Sequence, residues 1–165
     1  MAAAADTAAG TTGAGAWTVH CDGSAVPNPG RMGLGAVLVA PDGTRHTLSV
    51  ATHRVGCNNE AELRALMAAL EAARAHGATA VEVHTDNSIL VAQLGGANAA
   101  AAAVRPIARL APLFDAARGL LGGFAQARLQ WIPGHRNGEA DALARAALDL
   151  PPRMPAKASK KKRRR

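Results

Sequence analysis

Cysteine is scarce in this chain of 165 residues: only Cys21 and Cys57 occur, without the paired spacing that a zinc site or a disulfide framework requires. Both read as reduced thiols, which points to a cytosol-like compartment. Basic residues are absent before Arg31, and residues 1–16 are almost wholly Ala, Gly and Thr, without the Leu- or Val-rich stretch of a secretory signal. A disordered leader is expected there. Long apolar runs are missing too, the nearest being the alanine tract 99–103, far short of the roughly 18 residues that cross a bilayer. A soluble, cytoplasmic protein is expected, with no membrane partner.

Lysine is missing from the body, which uses arginine alone; Lys157, Lys160, Lys161 and Lys162 all lie near the C-terminus. Residues 157–165 take seven of the 19 basic residues and none of the 12 acids, so the formal net charge of +7 describes a tail and leaves the body balanced. A block of like charge repels itself and buries nothing. Residues 151–165 are therefore expected to form a disordered basic tail that binds nucleic-acid phosphates by releasing their counterions. The competing readings are a solvated, solubilising end and a nuclear address. What remains, 17–150, fits one domain with a core large enough to need no staples.

Hydrophobic period and turn residues give a coarse map of that domain. Residues 17–22 read as a first strand, followed by a turn-rich stretch, 23–33, that holds Pro27, Asn28, Pro29 and Gly30. A second strand is expected over 34–39, a hairpin turn at Pro41-Asp42-Gly43 and a third strand over 45–51, so the opening is antiparallel. From Asn59 the period becomes helical: Leu63, Leu66, Met67, Leu70 and Ala73 form one stripe, and Gly77 is placed to end the helix after His76. A buried strand over 81–85 and a short helix over 88–94 follow, the latter stopped by Gly95-Gly96. Pro106 interrupts the helix-permissive stretch 97–110, where no turns can be placed. Pro112 suits the first turn of a helix carrying Leu113, Phe114, Ala117, Leu120 and Leu121, which Gly122-Gly123 would end. The last strand is 128–132, and the last helix, 138–148, has Asn137 as its N-cap. The class is α/β with a five-stranded mixed sheet, its first three strands antiparallel, flanked by helices.

Acids are sparse in the body, and several stand where an element changes rather than on the middle of a helix face. Asp22 closes the first strand and Asp86 the fourth, while Glu62 and Asp141 lie near the starts of helices. Any one such carboxylate is ordinarily a cap or dipole partner. A converging group would repel itself in a partly desolvated cleft and so call for cations; hard oxygen donors point to Mg²⁺, with Mn²⁺ as a substitute. Two such ions about 4 Å apart stabilise the attacking and leaving oxygens of an in-line phosphoryl displacement, which is phosphodiester hydrolysis. Periodicity leaves one choice open, because Glu60 and Glu62 flank the apolar stripe of their helix at similar angles.

Thr18-Val19-His20-Cys21-Asp22-Gly23-Ser24, followed by Asn28-Pro29-Gly30, resembles the opening of type 1 ribonucleases H. Later blocks agree in order. Asn58-Asn59-Glu60-Ala61-Glu62-Leu63 resembles the family's Asn-Asn-x-x-Glu-Leu helix start, Thr85-Asp86-Asn87 its Thr-Asp-Ser, and Gly138-Glu139-Ala140-Asp141-Ala142-Leu143-Ala144 its last Asp-x-Leu-Ala helix. The resemblance spans 17–148 and implies a ribonuclease H-like fold. It further implies endonucleolytic cleavage of the RNA strand of an RNA·DNA hybrid, with Asp22, Glu62, Asp86 and Asp141 as catalytic ligands of two Mg²⁺ ions. It selects Glu62 over Glu60. It implies that His135, in Pro133-Gly134-His135, assists proton transfer or product release at the leaving group. By the same resemblance, Gly23, Asn28, Asn58 and Asn59 contact 2′-hydroxyls of the RNA, although Asn28-Pro29-Gly30 is also good turn chemistry.

The chain departs from the family pattern in specific places. Fewer residues separate His135 from Asp141 than in many bacterial and retroviral members, which places it near the short-loop, reverse-transcriptase-like branch. Cys57 stands where many members have a threonine that holds a DNA phosphate. Residues 95–123 contain neither lysine nor tryptophan, so the protrusion that clasps the hybrid in many bacterial members is expected to be missing, its electrostatic role passing to the basic tail. The expectation is a monomeric nuclease. A hybrid- or structured-RNA-binding module without turnover is the alternative, against which the retention of all four acids argues; a polyanion binder that uses only its tail is the third reading.

Overall fold

The computed structural model describes residues 15–96 and 107–154, so the far N-terminus, the stretch 97–106 and the tail from 155 onward lie outside the described residues. Strands β1 (Trp17–Val26) and β2 (Gly30–Val39) form a hairpin, and β3 (Arg45–Gly56) pairs antiparallel with β2. Helix α1 (Asn58–Ala75) crosses back over the sheet to β4 (Ala80–Thr85), which runs parallel to β1. Helices α2 (Ser88–Gln93) and α3 (Ala111–Gly122) precede β5 (Gln126–Trp131), parallel to β4, and α4 (Gly138–Ala146) follows. The sheet order is β3-β2-β1-β4-β5, the mixed five-stranded arrangement the sequence predicts.

The predicted stripe of α1 is its buried face: Leu63, Leu66 and Leu70 are wholly enclosed, with Ala65, Ala69 and Ala73 letting the helix lie close to the sheet. Each such leucine contributes about 1.5–3 kcal/mol by leaving water. They meet Val19, Val83 and Phe114 in the main core between sheet, α1 and α3. Gly77 ends α1 as expected, in a left-handed conformation with φ 88°. Pro112 stands in the first turn of α3, where its missing N–H costs nothing.

The strands run longer than their apolar residues suggest. Glycine and proline between Gly23 and Gly33 predict a long turn, but β1 continues to Val26, β2 begins at Gly30, and only residues 27–29 turn. The glycines serve close approach. A Cβ on Gly23 would fall inside the backbone of Ala61 and Glu62 on α1, and one on Gly35 inside the backbone of Ala140 and Ala144 on α4. Helices on both faces of the sheet thus press onto β1 and β2 at positions without side chains. Since only backbone faces Gly23, Gly23→Ala should destabilise the chain by ~3 kcal/mol or more and pull α1 away from β1. A denaturant midpoint unchanged by that substitution would remove this account of the packing.

Candidate active site

The acids converge because of sheet register. His20 lies opposite His84 in the parallel β1–β4 pair, and the same register carried two residues on sets Asp22 beside Asp86, just past the end of β4. Thr85 and Asn87 form the tight turn that presents Asp86, with Thr85 Oγ1 accepting from Asn87 N at 3.2 Å. Gly23 lets α1 settle on β1, and that contact brings Glu62, one turn into the helix, over the same point. Oxygens of Asp22, Glu62 and Asp86 lie within 4.8 Å of one another. Asp141, at the start of α4, lines the same cavity and is near enough to help raise the Asp22 carboxyl. Glu60 goes elsewhere: its Oε1 accepts from Arg64 Nε at 3.0 Å along α1.

These four acids line one open cavity of about 510 Å³, together with Gly23, Asn58 and His135. Asp22 is only 5% exposed. Burial, followed by the charges of Asp86, Glu62 and Asp141, pushes its carboxyl up to about 9. Burial pushes Glu62 up to about 7, against a hydrogen bond from Asn87, with Asp86 adding to the rise. Glu62 Oε2 is buried without a hydrogen-bond partner among the described residues. Hard carboxylate donors this close, mutually repelling and including an orphaned oxygen, fit the demands of divalent-cation binding; the four acids are the groups that would hold the ions.

The asparagines organise the rim. Asn28 Oδ1 accepts from Asn58 N at 3.1 Å and Asn58 Oδ1 accepts from Ala25 N at 2.9 Å, tying the β1–β2 turn to the start of α1. Asn59 Oδ1 accepts from Asn87 Nδ2 at 2.8 Å, while Asn87 Oδ1 caps α2 through Ile89 N and Leu90 N. Of the four substrate-contact candidates, Gly23 and Asn58 line the cavity itself and Asn28 is joined to it through Asn58, whereas Asn59 pairs with Asn87 outside the cavity lining. His135 lies exposed at the cavity, in a 3₁₀ turn over Gly134–Arg136. Cys57 is the N-cap of α1, its Sγ accepting from Glu60 N at 3.4 Å and from Arg109 Nη2 at 2.9 Å.

Asn137 corrects the sequence reading. It holds the N-cap position of α4 but makes no side-chain cap bond. Only 2% exposed, it donates from Nδ2 to Cys21 O at 2.9 Å and to Asp86 Oδ1 at 3.4 Å, so it braces an acid of the cluster against β1. An asparagine before a helix carries the same local signal whether it caps or braces. Arg153 is a residue that sequence reasoning misses, because composition assigns it to the tail. Residues 151–154 instead run back along α4, and Arg153 Nε lies 3.3 Å from Asp141 Oδ1.

A mixed sheet whose parallel strands β1 and β4 set two aspartates side by side, completed by acids from two helices, defines a ribonuclease H-like domain. The reverse transcriptase-like family profile matches residues 20–147. Ribonuclease HI of Halobacterium salinarum is 38% identical over 136 residues, covering 79% of this chain and 63% of that protein. A bifunctional protein of Mycobacterium tuberculosis is 34% identical over 133 residues, and there the chain spans 35% of the relative's length. Among solved structures, RNase H1 of Halobacterium salinarum superposes with TM-score 0.73 at 34% identity, over 82% of this chain and 98% of that one. LC11-RNase H1 in complex with an RNA/DNA hybrid superposes with TM-score 0.68 at 28% identity, over 81% and 96%. The chain belongs to the ribonuclease H1 family.

Proposed function

We propose that this chain is a Mg²⁺-dependent endoribonuclease that cleaves the RNA strand of RNA·DNA hybrids. The observation that carries the reading is the convergence of Asp22, Glu62, Asp86 and Asp141 on one cavity, with a carboxylate oxygen left unpartnered. Two Mg²⁺ ions there, or Mn²⁺ in their place, would supply Lewis-acid stabilisation of the attacking and leaving oxygens. The chain's own groups do the rest. The four carboxylates hold the charge that attracts the ions, and Asn137 keeps the Asp86 carboxylate from turning away. His135, exposed at the cavity, would pass a proton to the departing oxygen. Asn28 and Asn58 use their carbonyl oxygens within the protein, and their Nδ2 groups make no hydrogen bond among the described residues, which leaves donors for 2′-hydroxyls beside the Gly23 backbone. Arg109 brings a cation to Cys57, where the family resemblance expects a hold on a DNA phosphate.

One chain supplies every acid, so a monomer suffices. Cys21 and Cys57 are free thiols, which suits a reducing, cytoplasmic setting; among the described residues no helix is long and apolar enough to cross a membrane. The test is a 5′-labelled hybrid in Mg²⁺, for which internal RNA cuts are expected, with duplex DNA left whole. Binding without cleavage would instead make the chain a hybrid-recognition module.

The basic tail is read as a sequence-independent tether. Deleting 155–165 should weaken hybrid binding and lower its log–log salt slope, by up to about 0.9 for each phosphate the tail neutralises, with the cleavage pattern retained. A truncated chain with the full-length salt slope would show that the tail does not touch substrate.

A further inference from the structure

Arg153 is the one arginine among the residues lining the acidic cavity. Its backbone is anchored just upstream: Leu150 N donates to Arg145 O at 3.0 Å, and Arg145 Nε donates to Pro151 O at 2.8 Å. The side chain is 69% exposed, and among the described residues its ion pair is the single approach of Nε to Asp141. A fixed base and a free head confine the guanidinium to the cleft while leaving most of its donors unused. Its charge also reaches Glu62. A guanidinium so placed compensates the crowded carboxylates in the way a metal ion would. Once a divalent ion engages Asp141, the arginine is deprived of its counter-charge and acquires a repelling neighbour.

We propose that Arg153 is a substrate-binding residue of this cleft: its guanidinium rests on Asp141 in the metal-free chain and passes to a phosphate of the bound nucleic acid when a divalent ion takes that carboxylate. The planar donor fork suits a phosphate oxygen pair better than it suits the one-point approach to Asp141. Handover from carboxylate to phosphate also makes metal loading and substrate binding support each other, because each removes the competitor of the other. This rests on the hybrid-cleaving reading of the site.

Two measurements on the full chain test it, with Arg153→Gln removing the charge and Arg153→Lys keeping it. In Mg²⁺ calorimetry without nucleic acid, Arg153→Gln should bind the ion several-fold more tightly. In steady-state cleavage of the labelled hybrid, it should raise KM roughly three- to tenfold, more than it lowers kcat. The log–log salt slope of kcat/KM should fall by about 0.9, the value of one neutralised phosphate, and Arg153→Lys should keep the slope. Tighter metal binding with an unchanged slope would make Arg153 a plug on Asp141 and overturn the proposal. A lower slope with unchanged metal affinity would overturn the handover, since the Asp141 pairing would then compete with nothing. A wild-type chain that leaves the hybrid whole would sink the nuclease reading instead, and anisotropy with the uncut hybrid would still give the slope comparison.

Discussion

Asp22→Asn is expected to abolish cleavage of the labelled hybrid, by on the order of 10³-fold or more, and at the same time to raise the melting temperature of the metal-free chain. The two effects share one cause. Asp22 is buried among three other acids, and its carboxyl is pushed up to about 9, first by burial and then by the charges of Asp86, Glu62 and Asp141. The amide keeps the shape and the acceptor that takes Gly23 N at 3.0 Å and offers a donor to the neighbouring carboxylates, but it has no proton to take up, whereas the aspartate, ionised in the unfolded chain at neutral pH, must regain one on folding. A gain of about 2–6 °C at neutral pH follows from removing that proton-uptake cost in a domain of this size. An inactive variant that melts lower than the parent would mean that the cluster is not strained in the way its geometry indicates.

Stability of the metal-free chain should fall as pH rises from 7 to 9, and Mg²⁺ should restore it. In the unfolded chain Asp22 and Glu62 ionise in the ordinary carboxylate range, near pH 4. In the folded chain Glu62 holds its proton to about 7 and Asp22 to about 9, burial being the first cause for both. The folded state therefore binds more protons between those limits, and stability is lost as pH climbs through the window. Burial lowers His20 and His84, whose effect has the opposite sign and ends near pH 6.5, and burial raises the Cys21 thiol, whose effect begins only near pH 8.5 where an ordinary thiol ionises, so the interval from 7 to 8.5 isolates the acids. Thermal melts across that interval should drop by several degrees without divalent ion. The increase on adding Mg²⁺ should be larger at pH 8.5 than at pH 7, because metal binding must displace the retained protons. Melting curves that stay flat with pH, or that ignore Mg²⁺, would count against a shared cation site.

Much of the molecule is legible before it folds. The stripe from Leu63 to Ala73, the stop at Gly77 and the proline opening α3 are local signals, and local backbone preference decides them. The four acids are legible for a different reason: Glu62, Asp86 and Asp141 stand where a strand ends or a helix begins, Asp22 precedes the turn-rich run although β1 continues past it to Val26, and the family resemblance arranges them in order. Asn137 is legible only as a cap, because its bond to Asp86 spans 51 residues of chain. Arg153 is hidden in a proline-rich stretch just ahead of the basic run, which sequence reading joins to the tail. The stretch from Gly23 to Gly33 misleads for a physical reason, since glycine marks both places where a backbone must turn and places where another backbone must come near.

Order of elements, the apolar faces that become buried, and the set of acids available for chemistry all follow from the amino-acid chain alone, because each depends on neighbours a few residues away. Which of those acids meet is settled only by folding. Glu60 and Glu62 are equivalent to helical periodicity. The bare backbone of Gly23 lets α1 descend at Ala61, which delivers Glu62 to Asp22 and leaves Glu60 to pair with Arg64. That choice is made where segments nearly forty residues apart touch, and no local preference of either segment contains it.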